Sequence, residues 1–313
     1  MAGGGRAHLF SPAGRRWPRS GRTRERHPAF RNRFAALATL ALLALPAHAG
    51  EAPARVMSLN VCTDQLAMLL AKPGQLVSVS ELAGDPSLSF LHEKAAAYPR
   101  NAGTAEEVFL ARPDAVVTGT FSLHNTTALL RRLGFRVEEF SFEQTLDTIP
   151  REIRRMGGIL GAGDRAEEIA SRFETELKNV EASLCGPSPT AIAYDQNGIA
   201  LGSGTLADSV MRAAGLRNLA AELGYAGMAP FPLELLVVHR PDIVILREPL
   251  TEAPALADQI TRHPALRALK TSHVGAYVPP GSWACGAPAV LDAVRALRAV
   301  REEAAPCGKA PSG

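Results

Sequence analysis

The chain carries few of the residues that do chemistry. Its 313 residues include four cysteines, two tryptophans, four tyrosines and eight histidines. The cysteines, Cys62, Cys185, Cys285 and Cys307, form no C-x-x-C pair, which argues against a structural zinc site. There is no G-x-x-x-x-G-K-[ST] loop, and "GSGTL" (202–206) reads as a short turn before a helix, not a phosphate cradle. A multi-His metal centre is not expected. Only His124 falls in a loop expected to face a ligand, while His92, His239, His263 and His273 read as surface or helix-end residues. No apolar run reaches the roughly 20 residues that a membrane-spanning helix needs.

Basic character is missing too, once the first residues are set apart. Residues 1–33 hold nine of the 34 basic residues and one of the 31 acids, Glu25. They precede a 12-residue apolar run, "FAALATLALLAL", and the small-residue site "AHA" at 47–49. That order is the one of a secretory signal peptide, and cleavage is expected after Ala49. Without this segment 25 basic and 30 acidic residues remain, a net charge of −5. A mildly acidic chain offers no basic face for nucleic acid. No cysteine follows the apolar run to accept a lipid, so a free, soluble periplasmic monomer is expected, not embedded in the membrane. Export makes disulfides possible, and four cysteines allow three pairings. Cys185 and Cys307, at segment ends in Gly/Pro company, suit a staple.

Short apolar runs alternate with amphipathic ones. "RVMSL" (55–59), "LVSVS" (76–80), "AVVTG" (115–119) and "FRVEEF" (135–140) read as strands, the first three as largely buried parallel strands. "TDQLAMLLA" (63–71), "TAEEVFLA" (104–111) and "NTTALLRRLG" (125–134) read as the helices between them. From about Thr145 to Leu184 the chain reads as nearly all helical, broken at "GAGD" (161–164). After Asp164, a candidate N-cap, Ile169, Phe173, Leu177, Val180 and Leu184 make an apolar stripe. Alternation resumes with "TAIAYD" (190–195), a helix over 206–214, "DIVIL" (242–246), "HVGAYVP" (273–279) and a helix over 287–304. The expected fold is α/β: two lobes with mainly parallel sheets joined by one long helix. The expected divisions are a leader (1–49), a first lobe (50–160), a linking helix (161–186), a second lobe (187–305) and a tail (306–313).

One phrase occurs twice. "EEVFLARPDAVV" (106–117) and "ELLVVHRPDIVI" (234–245) each place a Glu seven residues before a Pro, followed by Asp and an apolar run. Proline cannot continue a helix and disfavours helical geometry before it, so each copy marks a helix-to-strand junction. Glu106 and Glu234 both fall in a first helical turn, where an acid complements the helix dipole. Glu107 has a separate explanation, as the partner of Thr104 in a T-x-x-E capping box.

Ligands of parallel α/β sheets bind outside the carboxyl ends of the strands. Those ends are "NVCTD" (60–64), "ELAGDPS" (81–87), "TFSLHN" (120–125), "YDQNG" (194–198), "GSGT" (202–205), "REPL" (247–250) and "PGSWACG" (280–286). They carry the aromatics Phe121, Tyr194 and Trp283, with Tyr225 and Phe231 nearby. Their polar groups Thr63, Asp85, Ser122, Asp195, Ser203 and Arg247 could orient a ligand. Aromatics with few charges describe a small-molecule binding site, although each such ring is as often half-buried packing. The rival is an exported α/β enzyme with Cys62 as nucleophile and His124 as base, which no local signature supports.

The order and spacing of "RVMSLNVCTDQLAMLLA", "AEEVFLARPDAVV", "GSGTLADSVMRAAGLRNLA" and "PLELLVVHRPDIVI" resemble the substrate-binding proteins of ABC importers for iron–siderophore complexes, heme and cobalamin. The resemblance covers residues 54–303. It implies a periplasmic carrier without catalysis or cofactor, whose linking helix limits hinge motion, and whose partners are a permease dimer with its ATPase. It further implies that Glu106 and Glu234 dock onto arginines of the two permease subunits. Trp283 matches a position where an aromatic faces the ligand. Arg247 is the only candidate for the arginine cluster that a strongly anionic catecholate chelate would require, and no Tyr or His stands out as a heme-iron ligand. A weakly charged metal chelate is expected, such as a cobalamin-like corrinoid or a ferric siderophore-type complex of the neutral or hydroxamate kind. A sensor lacking a cognate permease is the other reading. Cys62 in "VCTD" and Cys285 in "WACG" could face across the cleft, where a disulfide would lock the lobes; ordinary buried thiols are the expectation.

Overall fold

The computed structural model describes residues 51–121, 123–246, 263–267, 269 and 273–307. The first sheet contains β1 (Val56–Ser58), β2 (Leu76–Ser80), β3 (Arg100–Asn101), β4 (Ala115–Gly119) and β5 (Val137–Phe140), all parallel, in the order β3-β2-β1-β4-β5. The second contains β6 (Thr190–Asp195), β7 (Ile199–Leu201), β8 (Arg217–Asn218), β9 (Met228–Pro230), β10 (Ile243–Leu246) and β11 (His273–Gly275). Its order is β11-β10-β6-β7-β9, with β8 beside β6. Strands without polar faces suit a sheet covered on both sides, and all five residues of β4 are buried.

Helices cover these sheets. In the first half they are α1 (Val61–Leu70), α2 (His92–Ala95), α3 (Ala105–Ala111), α4 (His124–Arg132) and α5 (Ile149–Leu160). Then come α6 (Gly163–Ala182), α7 (Leu206–Ala213), α8 (Leu219–Glu222), α9 (Leu233–His239), α10 (Pro264–Arg267) and α11 (Val290–Ala304).

The second sheet is not purely parallel. β7 pairs antiparallel with β6 and with β9. The cause is local: Asn197 (φ 57°) and Gly198 (φ 71°) both adopt left-handed geometry and reverse the chain. Asn-Gly is the strongest short hairpin signal, because both residues tolerate positive φ. The expected ligand loop "YDQNG" is therefore a hairpin turn.

Helix α6 is the long connection, with 20 residues and hence about 30 Å of length. It begins one residue before Asp164, which lies in its first turn and is not its N-cap. Ile169, Phe173 and Leu177 are buried as the stripe requires. They belong to a single core that also takes Val56 and Val117 from the first sheet and Ala191 and Ile245 from the second. At its far end Arg298 of α11 donates to the carbonyls of Val180 and Ser183. Those are the groups a helix C-terminus leaves unsatisfied. Just beyond, a disulfide joins Cys185 to Cys307 and pins the end of α6 to the end of α11.

Candidate functional site

The carboxyl end of β1 turns into α1 through Asn60, whose side-chain oxygen accepts the Cys62 N–H at 2.9 Å. This cap fixes the first turn of α1 and sends Thr63 and Asp64 inward. Thr63 is 1 % exposed, and its hydroxyl donates to the Asn60 carbonyl and lies 2.8 Å from that of Ser58. It is an internal strut with no surface to offer a ligand. Both carboxylate oxygens of Asp64 accept the Ser80 N–H at 3.1 Å, which ties α1 to the end of β2.

Burial pushes the Asp64 carboxyl up to about 6, against hydrogen bonds from Ser58 and Ser80 that pull it down. The folded chain thus holds this proton more tightly than the unfolded chain does. The resulting stability is present in full below about pH 4 and is lost as pH rises through about 6. Two pKa units correspond to roughly 3 kcal/mol. Arg-paired glutamates such as Glu167, held down to about 2 by Arg154, act in the opposite direction. The comparison to make is denaturant stability from pH 4 to 7 for the parent and Asp64→Asn. The parent should lose on the order of 3 kcal/mol more over that range; parallel curves would refute the assignment.

A loop from the other half of the chain, residues 279–287, lies against this corner. The Gly281 N–H donates to the Ser87 carbonyl at 3.1 Å. Gly281 has φ 72°, and a Cβ there would meet backbone atoms of Pro86, Ser89 and Phe90 at 2.7–2.9 Å, so only glycine fits. The Gly286 N–H donates to Gln144 Oε1 at 2.6 Å. Between these contacts Cys285 is bonded to Cys62, across 223 residues of sequence. The expectation of buried thiols is corrected: the α1 cap and the glycine contacts bring the two Cα atoms to 5.1 Å, within disulfide range. The bond also removes the thiolate that the Cys62–His124 enzyme reading needs. Trp283, in the same loop, is half-buried against the shared core.

Asp85 shapes the facing loop, accepting the Ser87 N–H at 2.8 Å and the Ser87 hydroxyl at 2.7 Å. Phe121 follows β4, and Phe142 follows β5. Their rings stack at 4.4 Å with 28° between planes, and they remain 61 % and 49 % exposed. The Phe142 N–H donates to Thr120 Oγ1, which fixes the two segments together. Phe142 had no signal in the sequence beyond its place at a strand end.

Tyr194 lies elsewhere. It is 1 % exposed and edge-on to Phe231, and its hydroxyl donates to the Phe231 carbonyl at 3.1 Å. Its ring is core and leaves no face for a ligand. Ser203 is exposed, with its hydroxyl donated to the Tyr225 carbonyl at 3.3 Å. Ser122 and Arg247 lie outside the described residues.

The doubled phrase folds the same way twice. Glu106 and Glu234 are exposed in the first turns of α3 and α9. Two residues on, Val108 and Leu236 are fully buried. Arg112 (φ 46°) and Arg240 (φ 44°) end the helices in left-handed geometry, each donating its N–H four residues back at 2.9 Å. Asp114 then accepts the N–H of Arg55, and Asp242 that of Thr190, both at 2.8 Å. The Asp thus pins each junction to the start of a neighbouring strand. Glu107 closes the capping box with Thr104 and takes no part in the repeat.

A model of the periplasmic binding protein family matches residues 56–278. No curated protein sequence matches the chain. Among solved structures, a periplasmic heme-binding protein from Pseudomonas aeruginosa is similar at 21 % identity and a TM-score of 0.64, over 83 % of this chain and 96 % of that one. The periplasmic vitamin B12 binding protein BtuF of Vibrio cholerae is similar at 20 % and 0.63, over 80 % and 98 %. MolA, the molybdate periplasmic binding protein of Haemophilus influenzae, is similar at 16 % and 0.63, over 82 % and 88 %. At such identities the likeness establishes the fold. No described helix is long and apolar enough to cross a membrane.

Proposed function

Because the chain belongs to the periplasmic binding protein family, whose members serve ABC importers and are not enzymes, we propose that it carries a weakly charged metal chelate. The chelate is a ferric hydroxamate-type complex or a cobalamin-like corrinoid, and the chain delivers it to a permease dimer with its ATPase. The leader is removed after Ala49, and the mature chain works in the periplasm. The observation that carries the ligand class is the exposed Phe121–Phe142 stack at the carboxyl ends of β4 and β5. Solvent-facing aromatic rings suit a large, largely apolar ligand surface. Asp85 and Ser203, in loops at strand ends, supply polar contacts, and Trp283, in the 279–287 loop, is the proposed reporter of occupancy. Ser122 and Arg247 are kept as proposed contacts, whereas Thr63 and Tyr194 support the site from within. Small oxyanions, such as the molybdate named for MolA, fit an aromatic platform poorly.

Trp283 is the only tryptophan after the leader, so the fluorescence of the mature chain comes from that one residue. Titration with a ferric hydroxamate, a ferric catecholate, heme and cobalamin should give submicromolar, one-to-one binding of the hydroxamate or the cobalamin. Silence toward all four would remove the ligand class. Truncating the platform with Phe142→Ala should weaken binding roughly tenfold, since losing an aromatic contact and its buried area costs about 1–2 kcal/mol. Tyr194→Phe should leave affinity unchanged.

Docking rests on Glu106 and Glu234, one exposed acid on the same turn of equivalent helices in the two lobes. The dipole of a seven-residue helix accounts for an acid in either place. It does not account for the same acid at the same position in both.

A further inference from the structure

The acids are not the only exposed residues repeated between α3 and α9. Aligning Val108 with Leu236 places Phe109 beside Val237 and Leu110 beside Val238. All four are exposed, Leu110 at 80 % and Val238 at 71 %. Each helix therefore shows an acid and, three and four residues on, two apolar side chains on the same surface. Folding does not require this. Each helix buries its core contact through Val108 or Leu236, and polar residues would ordinarily occupy the outward positions. In the first lobe the apolar surface widens into a groove of about 360 Å³ between α3 and α4, lined by Ala105, Glu106, Phe109, Leu110, Leu129 and Leu133.

We propose that Phe109–Leu110 and Val237–Val238 are the apolar halves of two equivalent docking feet for the permease dimer. Each permease subunit inserts an apolar side chain next to a basic residue, the apolar group against the exposed pair and the basic group on Glu106 or Glu234. The partner is chosen by two properties of this surface. On the face that carries the apolar pair the repeated charge is acidic, since Arg112 and Arg240 stand six residues on at the helix ends and off that face. An acid there calls for a basic complement. The surface is also presented twice, on the same helical turn of two similar lobes, which calls for a partner with two equal sites. A single-site partner would leave one foot unused. The inference rests on the docking role of the two acids and adds the larger part of the contact area. Apolar surface at an interface core supplies affinity, while rim charges mainly set encounter rate and salt dependence.

The test places a photo-reactive benzoylphenylalanine at Leu110, at Val238 or at Thr175, an exposed position on α6, in the full-length chain expressed in its own cells. Irradiation should yield an adduct with one and the same permease polypeptide from Leu110 and Val238, and none from Thr175. Adducts with a second copy of the chain, adducts with different proteins at the two positions, or yields no higher than at Thr175 would overturn the proposal. In parallel, Leu110→Ser with Val238→Ser should lower uptake at least tenfold, leave ligand titrations unchanged, and leave the salt dependence of uptake as it was. If that variant fails while Glu106→Gln with Glu234→Gln takes up ligand normally, the acid reading falls and the apolar feet stand. The reverse outcome retires the apolar feet alone.

Discussion

Replacing Cys62 and Cys285 with serine should lower the stability of the chain by about 2–5 kcal/mol and its melting temperature by roughly 5–15 °C. The bond closes a loop of 223 residues in sequence separation, so it restricts the unfolded chain more than the Cys185–Cys307 bond, which spans 122. Chain entropy alone puts the long loop near the top of the range known for native disulfides, at about 5 kcal/mol. The native side of the balance points the same way. Without the bond, the 279–287 loop keeps its hydrogen bonds from Gly281 to Ser87 and from Gly286 to Gln144, together with the packing of Trp283. Those contacts place the loop but leave it free to open as a local unit. The bond also lies at the carboxyl-terminal end of both sheets, where the ligand is proposed to sit, between α1 and the approach to α11, and so limits how far that end can part. Loss of the bond should therefore lower ligand affinity as well as stability. Thermal unfolding of the double serine variant, beside the parent with and without reductant, checks the first effect. A variant as stable as the oxidised parent would contradict it.

The second large effect is on transport. Glu106→Gln with Glu234→Gln should reduce uptake of bound ligand tenfold or more, with the titration of free ligand unchanged. Each single variant should show about a third of normal uptake, since a tenfold loss is about 1.4 kcal/mol and two like sites share it. Both acids are exposed, so their contribution to docking is screened by salt. Raising ionic strength should depress the parent's uptake toward that of the double variant and change the variant little. Glutamine keeps the shape and the helix, which separates loss of charge from loss of fold. Unchanged uptake in the double variant would remove both acids from the docking surface.

Much of the architecture was legible because parallel strands buried on both faces read as unbroken apolar runs. β2, β4 and β6 begin and end at the expected residues. The doubled phrase was legible because proline and aspartate impose a local geometry that needs no tertiary information. The antiparallel strands β7 and β9 were not, since strands of three residues leave no period to detect and only Asn197–Gly198, between β6 and β7, marks a turn. Tyr194 shows the limit of strand-end reasoning. Its backbone ends a strand as expected, but its ring turns toward Phe231 and into the core, a choice made by packing. Phe142 shows the opposite case, a ring stacked on Phe121 through a contact between two strand ends that only the sheet order creates. The Cys62–Cys285 bond depends on three tertiary contacts made by one loop, which spacing along the chain cannot reveal.

Uptake in living cells tests the central claim, that the chain captures a chelate and hands it to a permease. Once titration has identified a ligand, a strain lacking this chain should lose uptake of the radiolabelled ligand at submicromolar concentration, and expression of the chain should restore it. Uptake that is the same with and without the chain, while purified protein still binds the ligand, would contradict delivery and leave a sensor in its place.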